Sequence, residues 1–192
     1  EALMRRAPAV ATGQTFVWEE TRQGVGIRFT MTHPSESLYT WNLEVRPSGT
    51  IDWTSVFTGQ IDRAGATAPH QGTGDLTLDL AALHAVFPVL PVDGVLRASF
   101  DLTAEHRKLV VDAGGVRWAP VGVPMGMPEM PEIAPPDARY VYYREPGRGG
   151  SLKIADRMVF LCPDNPDLAA SDVRLVSRWY RLADGGAHGR SA

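Results

Sequence analysis

The sequence predicts a mostly β fold: an antiparallel meander forming a sandwich or a partly open barrel, with one short helix. Three observations carry that expectation. Apolar and polar residues alternate with a period of two in one segment after another. Turn-forming residues separate those segments at short, even intervals. One stretch alone changes to helical spacing. A strand sends successive side chains to opposite faces, so each alternating segment has one apolar and one wet side.

The first clear strands are GIRFTMT, with Ile27, Phe29 and Met31 in phase, and LYTWNLEVR, with Tyr39, Trp41, Leu43 and Val45 in phase. His33-Pro34-Ser35-Glu36 lies between them and has the chemistry of a hairpin turn. Pro47-Ser48-Gly49 reverses the chain again. In TIDWTSVFTGQID the residues Ile51, Trp53, Phe57 and Ile61 count as one face, and Gly59 is placed at a bulge. GTGDLTLDL aligns Leu76, Leu78 and Leu80. The helix follows in DLAALHAVF, with Asp79 as its N-cap and Pro88 and Pro91 ending it. VLRASFDLT and KLVVDAG form the next hairpin around AEHR. RYVYYREPG, RGGSLKIAD, MVFL and VRLVSRWYRL complete about eight to ten short strands.

One segment breaks the pattern. Residues 119–138 contain six of the 15 prolines and cannot hold a helix or a central strand. They read as a linker or as an extended surface arm, and Pro124, Pro128, Pro131, Pro135 and Pro136 are the candidate partner-binding residues of the arm. The domain expectation is a frayed lead-in over 1–15 with at most one helical turn, a single antiparallel β domain over 16–182 that includes the proline-methionine arm at 119–138, and a flexible tail over 183–192.

Composition narrows the function classes. The formal net charge is -3, which gives no general attraction to nucleic acid. Of the 19 basic residues, 17 are arginines. Arg174, Arg178 and Arg181 interleave with Trp179 and Tyr180, but strand phase puts Arg174 and Arg178 opposite Val173, Leu175 and Trp179. That is a core strand with a wet outer face, not a base-stacking platform. No run of about 18 apolar residues exists to span a membrane. The single cysteine, Cys162, excludes an intramolecular disulfide framework, and Cys162-Pro163 is ordinary punctuation after a strand. The chain starts at Glu1 rather than at methionine, as a processed, exported chain would.

Catalytic signatures are missing. There is no G-x-S-x-G elbow, GRGGS lacks the Lys-Ser/Thr and helix of a phosphate loop, and the five histidines are scattered. The expectation is a protein that is not an enzyme and needs no cofactor. Two chemical leads remain. Met125, Met127 and Met130 bring three soft thioethers together in PMGMPEM, which suits Cu(I) in an oxidising compartment; the alternative is that they anchor the arm as adaptable apolar side chains. Trp41, Trp53, Phe57, Phe100 and Trp179 all count as inward-facing. They either fill the core or line a cavity for an apolar ligand.

The succession GTGDLTLDLAALHAVFP, VLRASFDLTAEHRKLVV, YVYYREPGRGGSLKI and VRLVSRWYRLADGGAHGR resembles predicted secreted lipoproteins of myxobacterial-type bacteria over roughly residues 38 to 190. The chain departs from that pattern in its proline-methionine segment. The resemblance implies an exported β protein, periplasmic or associated with the outer membrane, either lipid-anchored or soluble, with no assigned activity. The expected function is therefore that of a structural or interaction subunit with a protein partner in the envelope. The alternative is a periplasmic carrier of an apolar ligand or of Cu(I).

Overall fold

The computed structural model describes residues 7–88, 92–118, 132–133, 138–158, 171–182 and 186–192. Its first strands are β1 (Val10–Thr12), β2 (Thr15–Arg22), β3 (Val25–Thr32), β4 (Leu38–Arg46), β5 (Thr54–Asp62) and β6 (Gly72–Asp79). Helix α1 (Leu80–Val86) follows, then β7 (Val92–Asp93), β8 (Val95–Leu102), β9 (Arg107–Asp112), β10 (Arg117–Trp118) and β11 (Glu132–Ile133). The last are β12 (Arg139–Glu145), β13 (Gly149–Met158), β14 (Ser171–Arg181) and β15 (Ala187–Ser191).

Twelve of these strands form one unclosed sheet in the order β1-β2-β3-β4-β5-β6-β8-β9-β12-β13-β14-β15. Every neighbouring pair in it is antiparallel. The expected mostly antiparallel β fold with one short helix is thus the observed one. β7, β10 and β11 form a separate small sheet.

Register turns the period-two pattern into two chemically distinct faces. Phe16, Met31, Trp41, Gly59, Leu76, Ala98, Val111, Tyr140, Ile154 and Leu175 stand opposite one another in succession across ten strands. At the usual spacing between strands this row follows an arc of about 43 Å. The corresponding row on the other side is Val17, Thr30, Asn42, Thr58, Thr77, Arg97, Asp112, Arg139, Ala155 and Arg174. Ion pairs reinforce this polar face: Arg28 reaches Glu19 at 2.7 Å and Glu44 at 3.6 Å.

The side chains of the apolar row are buried or half-buried, and Trp18, Val45 and Ala98 are buried on that face. No large side chain among the described residues is fully buried. The most enclosed cluster is small: Ala113, Val116 and Ala138, with Leu80, Leu96 and Tyr140 packed against it. Helix α1 starts at this cluster. Its first amides, Leu80 and Ala81, donate to the Gly94 carbonyl, and Asp79 accepts from the Ala82 amide at 2.8 Å as the sequence predicts. Asp79→Ala should cost about 1 kcal/mol in urea unfolding, because that amide has no intrahelical partner.

Three expectations need correction. First, β5 begins only at Thr54, and its register against β4 shifts between Leu43 and Glu44, leaving Val56 as the extra residue. This bulge breaks the phase counted from Ile51 to Ile61. Trp53 therefore lies on the polar face, 4.1 Å from the Arg28 guanidinium and 4.4 Å from that of Arg46. Ile51 is 84% exposed. Second, Gly59 is not the bulge; it sits in register opposite Trp41. Third, the lead-in and tail supply strands β1 and β15. Strand pairing uses backbone N–H and C=O groups that any sequence carries, so weak alternation did not prevent it.

Candidate functional site

The apolar face of the twelve-stranded sheet is the candidate site. Trp41, Phe57, Phe100 and Trp179 all belong to it by register, whereas Trp53 does not. They share a face without forming one cluster, since Trp41 is on β4 and Trp179 on β14 at the far side.

Glycines set how three of these rings lie. A Cβ on Gly59 would stand 2.6 Å from the Trp41 ring, one on Gly74 2.6 Å from Phe100, and one on Gly150 2.5 Å from Trp179. Each ring thus occupies the space that a neighbouring side chain would take, so it lies down against the sheet. Trp179, flattened over Gly150 of β13, reaches Tyr142 of β12, with ring centroids 5.9 Å apart. At the other side Phe16, Trp18 and Phe29 pack in sequence at 6.3 and 5.8 Å. This second aromatic group was not singled out from the sequence, although TFVWEE carries the alternation that could have revealed it.

Polar groups enter the apolar face at several places: Glu20 and Arg22 pair there at 2.9 Å, opposite Ile27 and Val25, and two further places carry a buried acid and a facing pair of cations. Asp156 is 4% exposed, and the Tyr140 hydroxyl donates to its carboxylate. Burial, and then the hydrogen bond and charge of Asp156, push the Tyr140 phenol up to about 12. The last of these places is the end of the sheet where Arg107 of β9 stands directly opposite Arg144 of β12. Neither feature was legible in the sequence, because both depend on which strands are neighbours.

On the polar face, Asp101, Thr103 and His106 suggest a nucleophile with a base. His106 Nε2 lies 2.9 Å from Asp101, and Nδ1 lies 3.4 Å from the Thr103 hydroxyl. That hydroxyl is already engaged, accepting from the His106 amide at 3.0 Å and donating to the His106 carbonyl at 3.2 Å. The trio closes the β8–β9 hairpin, and Tyr143 stacks on the imidazole at 6.0 Å.

Among the described residues, no three His, Cys, Asp or Glu side chains are grouped to hold a metal ion. No described helix is long and apolar enough to cross a membrane. Met125, Met127 and Met130, the prolines Pro124, Pro128, Pro131, Pro135 and Pro136, and Cys162 lie outside the described residues.

The chain matches no protein-family model, no curated protein and no solved structure.

Proposed function

We propose that this protein is a non-catalytic carrier that holds a long-chain apolar ligand against the apolar face of its open sheet. The observation that supports this reading is a continuous apolar row across ten strands whose residues are half-buried or buried. The exposed large apolar residues, Val10, Ile51, Tyr180 and Leu182, all lie off that row. A protein interface is usually anchored by aromatic side chains that fill pockets of the partner. Rings lying flat over Gly59, Gly74 and Gly150 instead suit a thin, flexible chain that gains from losing contact with water. The place of action in this reading is the periplasm or outer membrane, as the likeness to predicted lipoproteins implies. A lipid anchor of the kind those proteins carry would keep it at a membrane surface.

Titration with oleyl alcohol, followed by tryptophan fluorescence, tests the proposal. Saturable binding is expected, weakened about tenfold by Phe57→Ala, which removes an aromatic ring from the lining. Far-UV circular dichroism of that variant checks that the sheet remains. An absence of saturable binding by the wild-type protein would sink the carrier reading.

A second reading, the interaction subunit of an envelope assembly, is supported by a separate feature. The sheet is unclosed, and among the described residues β1 and β15 each pair on one side only. An edge strand offers its backbone to an added strand of a partner. Native mass spectrometry of protein taken from its source separates the readings: added polypeptide mass supports the subunit, and a small adduct supports the carrier.

A further inference from the structure

We infer that Arg107 and Arg144, with Arg181 beside them, form a headgroup site for an anionic long-chain amphiphile whose tail lies on the apolar face. The inference deepens the carrier reading and rests on it.

Arg107 and Arg144 are directly opposite in register on the apolar side, in the row that continues through Gly150 to Trp179. Like charges facing each other across a strand pair are destabilising. No carboxylate among the described residues forms an ion pair with Arg107, Arg144 or Arg181. Elsewhere in the sheet Arg28 has Glu19 and Glu44, and Arg22 has Glu20 at 2.9 Å. Arg97, Arg139 and Arg178 also make no ion pair with a described residue but lie on the polar face. What sets Arg107 and Arg144 apart is that they face each other on the apolar side.

A cavity of about 210 Å³ lies between Arg144, Arg181 and the aromatic side chains Tyr142 and Trp179; Arg107 is not among its walls and enters through its register opposite Arg144. Glu145 also borders it, but its carboxylate accepts the Tyr143 hydroxyl at 2.8 Å and approaches Arg148 at 3.7 Å. The next row along the strands is Phe100, Leu109, Tyr142 and Leu152, and the one beyond is Ala98, Val111, Tyr140 and Ile154. A carboxylate or phosphate between the guanidiniums would relieve their repulsion with charge-assisted hydrogen bonds, while its chain runs down those rows out of water.

The test compares oleate, oleyl alcohol and acetate as probes of the wild-type protein and of the Arg107→Gln/Arg144→Gln double variant. The wild type should bind oleate at least about tenfold more tightly than oleyl alcohol, with the preference shrinking as salt is added. The double variant should lose that preference and keep its affinity for the alcohol. An Arg107→Lys/Arg144→Lys variant, which retains both charges, should keep much of the preference and so guards against a merely structural effect. Oleate and the alcohol binding equally to wild type, or a preference that survives in the glutamine variant, overturns the headgroup site and leaves the carrier reading standing. Acetate binding as tightly as oleate would make this a simple anion site and also overturn the inference. If neither long-chain probe binds, the carrier reading falls and takes this inference with it.

Discussion

Tyr140→Phe is expected to destabilise the protein by about 1–3 kcal/mol, read from urea unfolding at neutral pH. The phenol donates a hydrogen bond to the carboxylate of Asp156, which is 4% exposed on the apolar face. Phenylalanine fills the same space and leaves the acceptor without that donor, so the loss is chiefly one of polar satisfaction, not of packing. The same pair predicts a pH dependence. A phenol ordinarily titrates near 10, and in the folded protein Tyr140 is raised to about 12. Its folded pKa lies above its unfolded one, so its contribution is fully present below pH 10. That contribution is lost as pH climbs from 10 to about 12, because the unfolded chain ionises first. Unfolding curves at pH 8 and pH 11 should therefore differ in the wild type, and the part of the difference due to this phenol should be missing from Tyr140→Phe. Equal alkaline sensitivity in the two proteins would refute the assignment.

Gly59→Val should cost about 1–3 kcal/mol and also weaken binding of an apolar chain. A Cβ at this position would stand 2.6 Å from Trp41 and 2.7 Å from the backbone carbonyl oxygen of Asp75. The indole could swing away, but the Asp75 carbonyl belongs to β6, paired with β5 beside it. Relief therefore requires the ring to leave its flat position and the backbone to shift. Gly189→Ala is the control: its nearest neighbours would be 3.4 Å and 3.7 Å away, and its expected effect is within about 0.5 kcal/mol. If Gly59→Val proved as mild as Gly189→Ala, the flattened ring would not be setting the shape of the lining. Adding Trp41→Leu to Gly59→Val should recover part of the stability, since it removes one of the two clashes. A double-mutant cycle measures that coupling directly.

Helix α1 shows how far local sequence signals extend. Asp79, the apolar spacing that follows and Pro88 are all local, and the helix lies where they put it. β3, β4, β6, β8, β9, β12, β13 and β14 also coincide, to within one or two residues at their ends, with segments read as strands from the sequence. β5 is the instructive failure. Its odd-numbered apolar residues look continuous from Ile51 to Ile61, but Trp53 ends between two arginines on the polar face. A bulge adds one residue on one strand relative to its partner, so it is a property of the pair and cannot be seen in either segment alone.

The amino-acid sequence by itself determined most of the long strands, the helix and, outside β5, the existence of one apolar and one polar side in those strands. Those properties follow from side-chain alternation and capping, which act over a few residues. Only the tertiary structure decided that the apolar sides join into one lining across ten strands, that rings lie over Gly59, Gly74 and Gly150, and that Asp156 meets Tyr140. It likewise decided that Arg107 faces Arg144, although 36 residues of chain lie between them. Each of these depends on strand order and register, which bring together side chains far apart in the chain, and no short-range pattern encodes which distant residues will meet.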